Sequence, residues 1–247
     1  MEYPSHWNNA EYLDSMADNL VQGAIGAGFS VLPFVSTVEA FHLKTVDPNG
    51  TPIDDTNAWR TVFAVITNHN SRNLFYFGHG GANGIGGYPN PGNGYGISAK
   101  ELMDGLNNQP FLYMMVGGPR PNPHRYRFVY VSGCSTADGL LPFAFGVTNN
   151  RDPDLHPYSP GEGRPSAYLG FSGKVQVGVR NTGIYLHHPN YVAHLWTEWA
   201  LNGRTLDDAR QHAYDDYVNI DVAGFPIGKL KIVGYRQLHF NEANTNP

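Results

Sequence analysis

The sequence predicts an α/β fold, a layered sandwich with a mostly parallel central sheet flanked by helices, and three observations carry it. Short apolar runs rich in aromatic and β-branched residues, Leu74-Phe75-Tyr76-Phe77 and Phe128-Val129-Tyr130-Val131 foremost, have the length and composition of buried strands. Segments with apolar residues at helical spacing alternate with such runs, which is the order of a layered sandwich. The two runs end in small residues, Gly78-His79-Gly80-Gly81 and Ser132-Gly133-Cys134-Ser135, so that His79 and Cys134 fall just past strand ends. With 247 residues, 41% of them hydrophobic, the chain is long enough to bury one substantial core, and a single domain over residues 1–247 is expected.

Taken in order, Leu13, Met16, Ala17, Leu20 and Ala24 mark an amphipathic first helix, stopped by Gly26 and Gly28. Strands are expected over residues 29–35 and 38–46, the second closed by the turn Asp47-Pro48-Asn49-Gly50. Thr56 can cap a helix that carries Trp59, Val62, Phe63 and Ile66. After the His79 strand, residues 80–96 are almost entirely Gly, Asn, Pro and Tyr and read as an irregular surface loop. Ser98-Ala99-Lys100-Glu101 matches a capping box opening a helix with Leu102, Met103 and Leu106.

Beyond the Cys134 strand, residues 147–165 form a second loop rich in Asn, Asp, Pro and Gly, and residues 167–171 and 173–179 read as buried strand. Residues 191–201 are a helix ended by Asn202-Gly203, with Trp196 and Trp199 at i, i+3 packing into the core. Thr205 caps the next helix, whose first turn holds Asp207 and Asp208 where they complement the dipole. Residues 230–233 supply the closing strand. The 29 glycines and 18 prolines exceed the roughly 12% usual for the pair, in keeping with long loops.

Composition also excludes. A formal net charge of -5 and no Lys/Arg run argue against a nucleic-acid partner. The uncharged stretch 20–38 is interrupted by Gly23, Gly26, Gly28 and Pro33, which suits a helix running into a strand and not a membrane span. The opening Met1-Glu2-Tyr3-Pro4 has neither the basic nor the apolar region of a signal peptide, and compartment and oligomeric state stay open.

Cys134 is the single cysteine, so neither a disulfide nor a multi-cysteine metal site within the chain can claim it. A lone cysteine is ordinarily a small buried hydrophobe, and a turn histidine is ordinarily satisfied by backbone groups. The paired context outweighs both. A cysteine nucleophile needs a base to populate its thiolate and N–H donors for the oxyanion that forms on attack. His79 suits the first role, and the backbone N–H groups of Gly80 and Cys134 suit the second. Gly80 and Gly81, lacking Cβ, let a substrate carbonyl approach the backbone.

The blocks Phe75-Tyr76-Phe77-Gly78-His79-Gly80, Ile97-Ser98-Ala99-Lys100-Glu101-Leu102 and Phe128-Val129-Tyr130-Val131-Ser132-Gly133-Cys134-Ser135 together resemble the caspase-like cysteine peptidases, the group that includes gingipains, clostripain, legumain and separase, and are closest in style to gingipain- and clostripain-like members. Ala167-Tyr168-Leu169-Gly170-Phe171-Ser172-Gly173 is similar to the family's later small-residue strand, and Leu230-Lys231-Ile232-Val233-Gly234 to its final one. The resemblance implies a three-layer caspase-like sandwich and an endopeptidase needing no cofactor or metal, with a peptide or protein as substrate. It implies His79 as catalytic histidine, Gly80 as the oxyanion glycine and Cys134 as nucleophile. The P1 pocket is expected near the strand ends, around Ser132, Phe171, Ser172 and Gly173, with the preferred side chain left open. The family's first strand precedes its first helix, and residues 1–8 hold no such strand, which suggests a fragment of a longer protein. Arg151, Asp152 and Asp154 make the loop 147–165 a candidate for self-cleavage.

Rival readings are weaker. Gly133-Cys134-Ser135-Thr136-Ala137 approximates the nucleophile elbow of an α/β-hydrolase esterase with Ser135 central, but Gly139 and Pro142 suit no helix directly after it and the best-placed histidine is upstream. The glycines at 78, 80, 81, 84 and 86 do not open a helix as a dinucleotide fingerprint must. His187, His188 and His194 lack metal-site spacing, and Asp207, Asp208, Asp215 and Asp216 read as a solvated helix face. The alternative from another class is a catalytically inactive module that presents its loops to a partner.

Overall fold

All five residues of Phe128–Ser132 are buried, as befits a strand with neighbours on both edges and cover on both faces. In a computed structural model, which describes residues 73–77, 80–86, 96–106, 126–147, 166–173, 194–217 and 230–243 together with positions 22, 25, 63, 66 and 67, this strand is an inner member of a four-stranded sheet. The strands are β1 (Asn73–Phe77), β2 (Gly80–Gly81), β3 (Gly84–Gly86), β4 (Gly96–Ser98), β5 (Phe128–Ser132), β6 (Ala167–Phe171) and β7 (Leu230–Gly234). The helices are α1 (Ala99–Gly105), α2 (Leu141–Ala144), α3 (Leu206–Tyr217) and α4 (Phe240–Ala243), with a π-helix at Thr197–Leu201.

The larger sheet has the order β1-β5-β6-β7. β1 and β6 flank β5 in parallel, in registers running from Asn73 opposite Phe128 to Phe77 opposite Ser132 and from Phe128 opposite Ala167. β7 joins β6 antiparallel, with Phe171 opposite Leu230. The sheet is thus mixed but mostly parallel, and the fold is α/β. The carboxyl ends of β1, β5 and β6 lie at one edge, where β7 begins.

Side-chain alternation sorts the core into two faces. Phe75, Phe128, Tyr130, Ala167, Leu169, Phe171, Leu230 and Ile232 meet Leu195, Trp196 and Trp199 from the run 194–201, Leu206, Ala209 and Ala213 of α3, and Phe240 of α4. Leu74, Tyr76, Val129, Val131, Tyr168 and Val233 meet Ile85, Ile97, Leu102 and Met103 near α1, and Leu141 and Ala144 of α2. Trp199 is the largest fully buried side chain among the described residues, with its ring centroid 4.5 Å from Phe128 and 5.0 Å from Phe240, and its indole N–H donates to the Leu238 carbonyl at 2.7 Å. Burial of a side chain of this kind contributes about 1.5–3 kcal/mol.

Local signals account for the helix ends. The capping box is present: the Glu101 N–H donates to Ser98 Oγ at 3.2 Å, and the Ser98 N–H to Glu101 Oε2 at 2.7 Å. Thr205 Oγ1 accepts from the Asp208 N–H at 3.2 Å. The run 194–201 closes with the Asn202 N–H donating to the Thr197 carbonyl, five residues back, and Gly203 turns left-handed at φ 69°.

One expectation is corrected. The glycine-rich stretch that begins at Gly80 is not irregular where the structure describes it, because β2, β3 and β4 form a small antiparallel sheet. Ala82-Asn83 is the two-residue connection of its first hairpin, and Ile85 pairs with Ile97, both buried on the α1 side of the core. Two isoleucines supply the apolar area that the glycines lack. The strands expected at 29–35 and 38–46, the loop 148–165 and residues 174–193 lie outside the described residues, whereas Gln22, Ile25, Phe63 and Ile66 are helical. No helix among the described residues is long and apolar enough to cross a membrane.

Candidate active site

Strand register determines what meets at the carboxyl edge. Phe77 ends β1 directly opposite Ser132 at the end of β5, and neighbouring strands lie about 4.8 Å apart. His79 follows the first of these residues by two positions and Cys134 the second by two. Gly78 and His79 lie outside the described residues, but Gly80 is described and sits on the loop that carries the cysteine. A Cβ placed on Gly80 would overlap Thr136 Cγ2 and would lie 3.3 Å from Gly133 Cα and 3.4 Å from the Cys134 carbonyl oxygen. Only a glycine permits this approach.

Cys134 is half-buried and packs against the core face that holds Trp196 and Trp199. The next residue, Ser135, has φ 54°, a left-handed conformation that side chains with a Cβ resist. It is the one non-glycine residue in that region among those described. Backbone bonds to the end of β6 hold it there: the Ser135 N–H donates to the Gly173 carbonyl at 2.6 Å and the Ala137 N–H to the Phe171 carbonyl at 2.9 Å. On the opposite side the Leu140 N–H donates to the Ala82 carbonyl at 3.0 Å, tying the loop to the β2–β3 connection.

Side chains complete the frame. Thr136, fully buried, lies 3.0 Å through Oγ1 from both the Val131 and the Gly133 carbonyls, and the same oxygen accepts the Phe171 N–H at 3.2 Å. The Tyr168 hydroxyl donates to the Thr136 carbonyl at 2.8 Å, and burial pushes its ionisation well above the ordinary tyrosine value, so it stays a neutral donor. Asp138 accepts the Ser172 hydroxyl at 2.7 Å and the Gly173 N–H at 2.6 Å, with Lys231 Nζ of β7 at 3.6 Å. The Ser172 bond, partly opposed by burial and reinforced by Gly173, Lys231 and Ser135, holds the Asp138 carboxyl below its ordinary value.

Of the pocket candidates, Ser132 is 6% exposed at the end of β5, and the Phe171 side chain is buried in the core, so Phe171 offers its backbone to the edge. Ser172 and Gly173, the latter at φ 74°, stand half-buried beside Asp138. The structure therefore brings Gly80, Cys134, Ser172 and Gly173 to one edge. Thr136, Tyr168, Asp138 and Lys231 join them without having been singled out from the sequence. The signal available was the density of Ser, Thr and Asp after the strand, residue types that bond backbone groups locally.

The remaining polar candidates are engaged elsewhere. His194 Nε2 lies 2.6 Å from Asp216, and Asp207 pairs with Arg210 and Arg236 at 3.1 and 2.9 Å. His187 and His188 lie outside the described residues. No three His, Cys, Asp or Glu side chains among the described residues gather as a metal site. Comparison of the chain with protein-family models, with curated proteins and with solved structures gives no match.

Proposed function

We propose that the chain is a cysteine endopeptidase of caspase-like architecture, with Cys134 as nucleophile and His79 as its proton-transfer partner. One observation carries the reading: Gly80, the residue after His79, packs on Gly133 and Cys134 at an edge where the ends of β1 and β5 are opposite one another. Two segments separated by some fifty residues thereby converge on the single thiol. Support also comes from the half-exposed position of Cys134 and from the left-handed Ser135, since strain of this kind concentrates at functional sites.

In the proposed cycle the Cys134 thiolate attacks the carbonyl carbon of a peptide bond, forming a C–S bond and an oxyanion directed at the N–H groups of Gly80 and Cys134. His79, holding the proton taken from the thiol, donates it to the departing amine as the C–N bond breaks. Water then attacks the thioester, giving up a proton to His79, and the acid product leaves as the thiol is restored. No cofactor enters these steps. Ser132, Ser172 and Gly173 are the proposed edge of the P1 pocket.

A second reading is kept because Ser135 has the backbone strain of an elbow nucleophile, as an esterase requires. Against it, the chain enters α2 only at Leu141 and not directly after the turn. The test is hydrolysis of fluorogenic peptides with Arg, Lys, Asp, Asn or Leu at P1, beside short-chain esters, using the wild type and folded Cys134→Ala, His79→Ala and Ser135→Ala variants. Peptide turnover lost with Cys134 and His79 and retained with Ser135→Ala is the expected result. Ester turnover lost only with Ser135→Ala would favour the esterase, and no turnover of either substrate would favour an inactive binding module.

A further inference from the structure

Besides the Phe171 N–H donated to Thr136 Oγ1, two ties hold the loop that carries Cys134 to the end of β6. Backbone bonds from Ser135 and Ala137 make the first tie, and the Asp138 carboxylate makes the second, with one oxygen on Ser172 Oγ at 2.7 Å and the other on the Gly173 N–H at 2.6 Å. The Asp138 N–H also donates to the Ser135 carbonyl at 3.0 Å. Ser135, held at φ 54°, stands between the thiol residue and this bridge. A left-handed residue with a Cβ persists only where its surroundings over-determine it. Gly173 completes the match, because its own φ of 74° presents its N–H to Asp138 and its carbonyl to Ser135.

We propose that Asp138 is a positioning residue, whose two-oxygen bridge to Ser172 and Gly173 holds Ser135 left-handed and so sets the direction in which Cys134 is presented at the sheet edge. The carboxylate acts through the loop and touches no reacting atom. Lys231, half-exposed and with Nζ 3.6 Å from Asp138 Oδ1, supplies charge but no bond of the bridge. The kinetic consequence rests on the peptidase reading above, whereas the structural consequence does not.

The experiment compares the full chain with Asp138→Ala and with Asp138→Asn, which keeps an acceptor for one of the two bonds. In Asp138→Ala, amide hydrogen exchange at Ser135, Ala137 and Gly173 should quicken while Val129 and Tyr130 in β5 keep their protection. The kcat for peptide hydrolysis should fall about 100-fold with KM nearly unchanged, the mark of misplacement and not of lost binding. Asp138→Asn should recover much of the loss. Unchanged exchange at the three amides, or an Asn variant as impaired as the Ala variant, would overturn the proposal. Should the wild type turn over no peptide, the peptidase reading fails by itself. Alkylation of Cys134 by iodoacetamide then decides: a faster rate in Asp138→Ala than in Asp138→Asn supports the bridge, and equal rates overturn it.

Discussion

β5 and the loop that follows it are consecutive in sequence and are held by different forces. Within the strand, Phe128 and Tyr130 lie against Trp196, with ring centroids at 5.5 and 5.4 Å, and all four apolar side chains are essentially inaccessible. From Gly133 to Leu140 hydrogen bonds of fixed direction, to β6 and its end and to the β2–β3 connection, add to the packing of Cys134 and Ala137 on the core. Area-driven packing is non-directional and large in total, whereas hydrogen bonds contribute about 1 kcal/mol each and specify geometry. Stability is therefore concentrated in the strand and the orientation of Cys134 in the loop, and substitutions in the two regions should separate the two properties.

The largest effect is expected in the strand's aromatic cover. Trp199→Ala removes a fully buried ring and the donor to Leu238, and should cost about 3–5 kcal/mol in chemical denaturation. Below the unfolding transition the Cys134 alkylation rate should stay that of the wild type. An equal shift in both quantities would dissolve the distinction. In the loop, Thr136→Val keeps the shape and deletes the oxygen that accepts the Phe171 N–H, so a loss of about 1–3 kcal/mol is expected together with an altered alkylation rate.

Smaller effects sharpen the same comparison. Because Asp138 titrates below its ordinary value when folded, the bridge contributes fully above the unfolded carboxyl value near about pH 4 and is lost as pH falls through the lower folded value. The stability difference between wild type and Asp138→Asn should therefore be constant from neutral pH down to that point and narrow below it. A difference that widens in acid would contradict the sign. Lys231→Ala, which removes only the half-exposed charge, should change stability by less than about 1 kcal/mol, and added salt should erase the change.

Much of the strand architecture was legible in the sequence because burial on both faces leaves a continuous apolar run, as in Phe128–Ser132 and Ala167–Phe171. Local polar codes were legible as well: Ser98 with Glu101, and Thr205 with Asp208, make the hydrogen bonds their spacing implies. The mostly parallel sheet was expected too, but the direction of its last strand was not legible. Leu230–Gly234 reads as a strand whichever way it runs, and its antiparallel pairing with β6 follows from where the chain enters the edge. The glycine-rich hairpin was missed because the pairing of Ile85 with Ile97 is a tertiary fact that glycine composition conceals. Cys134 and Gly80 stood out by their place after apolar runs, whereas Asp138, one loop acid among many, acquires its partners only when β6 ends beside it.

The most direct measurement is covalent trapping. The wild type is incubated with peptidyl acyloxymethyl ketones bearing Arg, Lys, Asp, Asn or Leu at P1, and the modified residue is mapped by mass spectrometry of the digested chain. A single adduct on Cys134, formed with one P1 side chain in preference to the others and abolished in a folded His79→Ala variant, is the expected result. An adduct on Ser135, or no reaction at Cys134 faster than that of a free peptide thiol, would contradict the assignment of this edge as a cysteine peptidase site.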